Sequence, residues 1–414
     1  IALLPAKATG NDYGRIDQCF AKAYKAKMLL YKASLQFNPS NMYDNKYWNE
    51  AYTAAKEAYD FCIAQGIKLT VNYADNWLVD GNSEVVFPII YSNPDKTANW
   101  ENTIRPSSLS RSNAGNTPTW DMVKAFPMLD GKRFDDPAGK YYAGAESDFL
   151  QKFWQNRDPR FEDCILYNAD LYPVSGTASE YTSVGIAVRE DSYGINPNVG
   201  STATQNDAIS GMYVRKGSDL SLSQDLVSTY DHDYPFMRLA EVMFIYAEAA
   251  NETDHQDVAV DMLKQIRKRA GIEAGENGLY GLKVANRKEI RQAILDERNV
   301  ELCFEGHRFM DLRRTRNMMQ LNGLQKYGVE AIAINEDGSE MDIAEATRKA
   351  KTYSLTPDNF KYILRMVPIS AIAENKFLIQ ESYYFFPIQE SKILENPNLE
   401  QNNNWGGKFN PTME

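Results

Sequence analysis

The stretch RIDQCFAKAYKAKMLLYKAS, Arg15–Ser34, decides the fold class. Its residues Ile16, Cys19, Ala23, Ala26, Leu30 and Ala33 recur at three- and four-residue steps, which gathers them on one face of a helix. Tyr47–Gln65 repeats the pattern with Trp48, Ala51, Ala55, Ala58 and Cys62, and stops at Gly66, a residue suited to a helix C-terminus. Alanine on both stripes lets two helix axes approach closely. The spacing therefore predicts an antiparallel pair meeting through Ala23, Ala26, Ala51 and Ala55. Such a pair is the unit stacked in tetratricopeptide solenoids, although no strict 34-residue period is visible.

Further along, a second helical block is expected from about Pro235 to Met319. It carries Leu239, Val242, Tyr246 and Ala249, then Val258, Met262 and Ile266, then a long charged helix from Arg287. Between the blocks Asn, Ser, Gly, Thr and Pro punctuate the chain and no long periodic segment survives. Glu84–Ile90 reads as a short buried strand. The expected class is mainly α, a tetratricopeptide-like helical scaffold with long irregular loops and a few short strands. The expected organisation is a helical scaffold at 1–66, a loop-rich ligand-binding region at 67–229, and a helical region at 230–414 packed with the first as one body.

Composition excludes some functions. The 414 residues carry a net charge of −11, which works against a phosphate backbone as partner, so no nucleic acid is expected. No apolar run reaches the roughly 18 residues of a membrane-spanning helix. Cys19, Cys62, Cys164 and Cys303 fit no zinc or redox spacing, and Cys19 and Cys62 fall on apolar helix faces as small core residues. Neither an export signal nor a lipid-attachment cysteine opens the chain, so Ile1 is expected to be a cut or processed end.

Six segments, taken in order, resemble one family. They are GRIDQCFAKAYKAKMLLYKAS (Gly14–Ser34), Ser83–Tyr91 with PTWDMVKAFPMLDGK (Pro118–Lys132), and DPRF (Asp158–Phe161). The others are PFMRLAEVMFIYAEAANE (Pro235–Glu252) with AVDMLKQIRKRAGI (Ala259–Ile272), EIRQAILDERNVELCFEGHRFMDLRR (Glu289–Arg314), and FPIQESKILENPNLEQNNNW (Phe386–Trp405). Together they resemble the SusD/RagB outer-membrane nutrient-binding lipoproteins of Bacteroidetes. The usual export signal, lipidated cysteine and first helices have no counterpart here, so the resemblance covers the later two-thirds of a typical member. It implies a cell-surface glycan-binding protein peripheral to the outer membrane through an N-terminal lipid anchor. It also implies a SusC-like TonB-dependent transporter as partner, over which the protein closes like a lid. Some members serve peptide uptake, which gives one alternative. An α-helical glycoside hydrolase is the other, since that chemistry needs only two suitably spaced carboxylates.

The residues themselves argue against catalysis. Glu297, Glu301 and Glu305 at four-residue spacing would share a helix face, but His307 is misplaced for a Glu-x-x-His di-metal site, and arginines crowd the segment. An ion-pair network is expected, with no metal and no cofactor. His232, between Asp231 and Asp233, is expected in a turn, and no nucleophile elbow or phosphate-binding glycine loop occurs. What remains is aromatic. Sugar C–H faces stack on Trp and Tyr rings while amides and guanidinium groups meet the hydroxyls. Residues 72–120 offer that mixture. The expected ligand-binding residues are Trp100 and Trp77 with Asn102, Arg105 and Tyr73, joined from the second loop region by Tyr172 and Tyr193. Tyr91 and Asn99 belong to the same mixture, and Trp120 is expected in the core at a helix start.

Overall fold

The computed structural model describes residues 1–106, 115–172, 182–183, 210–351, 355–369 and 375–413. Helix α1 spans Gln18–Ala33 and α2 spans Tyr47–Ala64. Asp17 caps α1 by accepting from the Phe20 amide at 2.8 Å, which leaves Ile16 outside the helix and exposed. Lys22 pairs with Glu57, and Lys32 Nζ reaches Glu50 Oε2 at 2.8 Å, so the two helices run antiparallel. Ala23, Ala26, Ala51 and Ala55 are fully buried where they cross, as the small-residue stripes predict, and Cys19 and Cys62 are buried beside them.

Strand β1 (Val85–Ile89) pairs antiparallel with β2 (Tyr234–Arg238), and β2 runs directly into α3 (Leu239–Glu252). The second helical block therefore starts at Leu239 and not at Pro235; Pro235 sits in a two-stranded ribbon, where an edge position tolerates it. Every residue of α3 is buried. It packs against α2, α4 (Gln256–Ala270) and α5 (Arg287–Glu301), and with α1 these helices share one apolar core. A helix polar on one face and buried on all sides must satisfy its polar groups internally.

A second core is built from the loop-rich region. Trp120, Phe126, Phe149, Phe153, Phe161 and Tyr167 pack together there, with Trp120 opening its short helix and buried. They are joined by Val300, Cys303 and Tyr362, the last on an eight-residue ladder between β3 (Lys326–Ala333) and β4 (Phe360–Val367). Among the described residues no helix is long and apolar enough to cross a membrane.

Between the two cores lies a charged layer. Helix α5 ends at Glu301, so Glu305 is not on it as the four-residue spacing suggested. A turn through Phe304 (φ 62°) and Gly306 (φ 80°) separates it from α6 (His307–Arg314). The turn nevertheless brings Glu305 back to the same cations. Arg238 Nη1 donates to Glu301 Oε1 at 2.6 Å and to Glu84 Oε1 at 2.7 Å, and its Nε reaches Glu305 Oε2 at 3.0 Å. Arg160, from the DPRF segment, holds Glu301, Glu297 and Asp158 at 2.6–2.7 Å. Arg269 bridges Glu84 and Glu301, Arg267 holds Glu297 at 2.6 Å, and Lys216 holds Glu305 at 2.7 Å. Five carboxylates thus meet five cations, all buried or nearly so, and the layer is charge-neutral. A smaller cluster of Arg298, Asp311, Arg314 and Glu248 ties α5 and α6 to α3.

Burial alone would push these carboxyls up. The guanidinium and ammonium charges overcome it, holding Glu305 at about 2 and Glu301 far below the carboxylate range. Replacing both partners of such a pair with apolar residues can be neutral, but removing one strands the other. Arg238→Met, which leaves three carboxylates short of a partner, is expected to cost about 3–5 kcal/mol in urea unfolding. A second expectation follows from the depressed carboxyl of Glu305. Its stabilisation is fully present above an unfolded-state pKa of about 4.3 and is lost as pH falls through about 2. Unfolding free energy measured from pH 5 to pH 2 should therefore fall, by on the order of 3 kcal/mol from this group, and Glu305→Gln should flatten that slope.

Candidate functional site

A pocket of about 330 Å³ opens where the loop-rich region meets the turn after α5. Trp77, Tyr91, Trp100, Tyr230, Tyr234 and Phe304 supply its aromatic walls, and Asn99, Thr103, Asn116, Lys216, His232, Asp233 and Glu305 its polar groups. Trp100 opens the short helix Trp100–Ile104. That helix is too short to hold itself; buried Glu101 anchors it by accepting from Ser218 Oγ at 2.9 Å and by pairing with Arg105. The indole of Trp100 donates to the Lys216 carbonyl at 2.9 Å, and the ring is half-buried.

Lys216 joins the pocket to the charged layer. Its ammonium lies 4.1 Å from the centre of the Trp77 ring and donates to the Cys303 carbonyl and to Glu305, both at 2.7 Å. The next residue, Gly217, threads between the two tryptophans with φ +69°. A Cβ there would lie 3.1 Å from Trp100 Nε1 and 3.2 Å from Trp77 Cβ, so any other residue would be both crowded and strained. Trp77 is 6% exposed and forms the base of the pocket, edge-on to Tyr73 at 4.9 Å.

At the mouth, His232 stands between two carboxylates, with Nε2 3.3 Å from Asp219 Oδ2 and Nδ1 3.6 Å from Asp80 Oδ1. The hydrogen bond to Asp219, outweighing burial, raises the imidazole pKa, and the same contact lowers Asp219 to about 2. Asp233 accepts from the Tyr91 amide at 3.1 Å, and Asp231 from the Asn93 amide at 2.9 Å. Burial and the nearby Asp233 push the Tyr13 phenol up to about 12.

The expected site residues separate into three groups. Trp77 and Trp100 line the pocket, with Tyr91 and Asn99. Asn102 is one turn removed, half-buried, and donates to Asn99 Oδ1 at 2.8 Å. Arg105, Tyr73 and Tyr172 are placed in the interior, which corrects their expected ligand contact. Arg105 is 0% exposed; it pairs with Glu101 and donates to the carbonyls of Asp219 and Leu222, fixing the 216–222 loop. The Tyr73 hydroxyl donates to the Glu301 carbonyl at 2.6 Å, and Tyr172 hydrogen-bonds Ser218 within the second core. Tyr193 lies outside the described residues. His232 and Asp233, expected in a plain turn, line the pocket instead. Their signal was the composition of Tyr230–Tyr234, two tyrosines enclosing three charged or titratable residues ahead of a strand.

The remaining reactive-looking groups are engaged. His255 stacks on Tyr52 at 4.2 Å, and His307 is mostly buried with Nδ1 3.6 Å from Glu241. Among the described residues no group of His, Cys, Asp and Glu forms a metal cluster. Arg105→Ala, which leaves Glu101 buried without its partner, should lower stability by about 3–5 kcal/mol. Trp100→Ala, which removes a partly buried ring and one hydrogen bond without stranding a buried charge, should cost less, about 1–2 kcal/mol. Paired thermal melts read the difference.

Comparison with known proteins accords with this architecture. A family model described as the SusD family matches residues 83–405. SusD-like protein P2 of Formosa agariphila is 35% identical over 88 residues, and SusD-like protein P38 of the same organism is 28% identical over 95. These stretches are 20% and 22% of this chain, and span only 17% and 19% of the two relatives. A SusD-like protein from Bacteroides fragilis NCTC 9343 superposes with a TM-score of 0.69 at 19% identity, covering 97% of this chain and 68% of that one. A SusD-like carbohydrate-binding protein from the same organism gives 0.65 at 18% identity, over 96% of this chain and 68% of that one. The solved structures establish a shared fold, and with the family model matching most of its length, the chain belongs to the SusD family.

Proposed function

We propose that this protein binds glycans without transforming them, and that the pocket lined by Trp100, with Trp77 at its base, is where a sugar sits. The observation that carries the reading is the pairing of two indoles around Gly217, with amide and hydroxyl groups of Asn99, Thr103 and Asn116 at the same opening. An apolar ring face beside hydrogen-bonding groups matches the two faces of a sugar. About 330 Å³ is at the small end of ligand pockets and suits a short run of sugar rings. Modest affinity is expected, because little area is buried against the cost of ordering a flexible ligand.

The absence of catalysis in this reading rests on how the carboxylates are used. Glu297, Glu301 and Glu305 are committed to arginine and lysine partners, and Asp219 and Asp80 flank a histidine. Membership of the SusD family supports the further reading that the protein works at the outer-membrane surface, lipid-anchored, and hands its ligand to a SusC-like TonB-dependent transporter.

The test is a glycan-array and affinity-gel screen of the wild type, with a peptide library beside it and a reducing-end assay on every glycan retained. Trp100→Ala is expected to lose at least tenfold in affinity for the retained glycan, since one aromatic face carries a large share of a small site. Trp405→Ala, a surface tryptophan far along the chain, should not change it. Retention of peptides alone, or release of reducing ends, would overturn the reading.

A further inference from the structure

Resting on the glycan reading of the pocket, we infer that its mouth is a charge filter, which admits uncharged and amine-bearing sugars and rejects uronates and sulfated sugars. The argument is the sign of the groups around the opening. Asp233 lines the pocket, Asp80 and Asp219 flank His232 on its wall, and Asp231 adjoins His232 in the chain, so carboxylates from three chain segments stand at or beside the opening. Asp80 follows the short helix ending at Leu78, Asp219 follows the Gly217 turn, and the other two immediately precede β2. Asp80 Oδ1 accepts from the Asp233 amide at 2.8 Å, which locks the two carboxylates into the same rim.

Among the described residues, two cations are candidates to cancel them. His232 lies among the carboxylates and offsets one of them when protonated. Lys96 sits with its ammonium 4.6 Å from the Tyr91 ring centre and donates to the Ile90 carbonyl at 2.8 Å. Deeper in, Lys216 and Glu305 cancel one another within the charged layer, so Lys216 has no charge to spare for an acidic ligand. The Arg105 guanidinium, which might have met an anion, is sealed behind Glu101. Among the described residues, these four negative groups against at most two positive ones leave the opening net acidic. A site for an acidic sugar needs the reverse, an uncompensated arginine or lysine that can meet the carboxylate or sulfate.

The size of the effect follows from Coulomb's law. Unit charges about 7 Å apart in water interact by about RT, a factor of roughly 2.7 in affinity. Two to three uncompensated charges therefore give discrimination on the order of tenfold against a single added negative charge. Screening shortens the reach of this field from about 10 Å at 0.1 M salt to about 3 Å at 1 M.

Isothermal titration with three matched oligosaccharides tests the filter. They share one backbone and linkage and differ at one unit, which is a neutral hexose, a hexuronate or a free hexosamine. A sulfated form of the neutral one is the fourth probe. At low salt the neutral and amine-bearing forms should bind about tenfold or more tighter than the uronate and sulfate. The gap should narrow at 1 M salt, and in Asp80→Asn/Asp231→Asn, whose amide oxygens keep the backbone hydrogen bonds; unchanged melting confirms that the variant is folded. Equal or tighter binding of the acidic forms would overturn the filter and leave the glycan reading standing. A gap that persists unchanged in high salt and in the double variant would also overturn it, because shape and not charge would then set the selection. Failure of every form to bind, with peptides retained, would sink both.

Discussion

Arg238 meeting Glu301, Glu305 and Glu84 is the constraint on which the rest of the structure depends. One guanidinium at the end of β2 gathers carboxylates from the segment before β1, the end of α5 and the turn beyond it. Those segments are far apart in the chain and belong to different packing groups. Charges so deeply buried are tolerated only where partners and geometry are complete, so the network penalises nearly every arrangement but one. A loop-rich region with two-residue strands and five-residue helices has little regular structure of its own, and it is docked onto the helical scaffold through Arg160, Lys216 and Glu84.

The path from that layer to the pocket is short. Lys216 pairs with Glu305 on one side, covers the Trp77 ring on another, and receives the Trp100 indole on its own carbonyl. The base of the pocket is thus an outer surface of the core, not a loop added to it. This explains why Arg105, Tyr73 and Tyr172, polar or aromatic residues in loop sequence, turned out to be interior. In an irregular region the hydrogen-bonding work that a helix or sheet would do for itself passes to side chains.

The helical half of the fold was legible because periodicity reports burial directly, and Ala23, Ala26, Ala51 and Ala55 occupy the crossing that their spacing implies. Legibility ended where a contact is non-local. Nothing in the sequence around Arg105 says that Glu101 and the 216–222 loop will enclose it, and nothing near His232 says that Asp80 will arrive from 152 residues earlier in the chain. Glu305 shows the subtler failure. The four-residue spacing correctly grouped it with Glu297 and Glu301, although the helix assumed for it stops at Glu301 and a left-handed turn supplies the approach. For the site, the two tryptophans were visible as residues without apolar periodicity around them, but not the glycine that sets them side by side.

Gly217 carries a consequence for how the pocket could change its shape. The main-chain turn at Gly217 packs against both Trp77 and Trp100, and that turn is tethered at Lys216 to the molecule's interior. The slot cannot widen or narrow through side-chain exchange at its floor without disturbing the layer beneath. Under the glycan reading, a change of ligand is therefore channelled to the outer lip, to Ala98, Asn99 and Asn116, where, among the described residues, the one side-chain hydrogen bond at stake is the short-range contact of Asn99 with Asn102. The same molecule is in this sense conservative within and inventive at its margin.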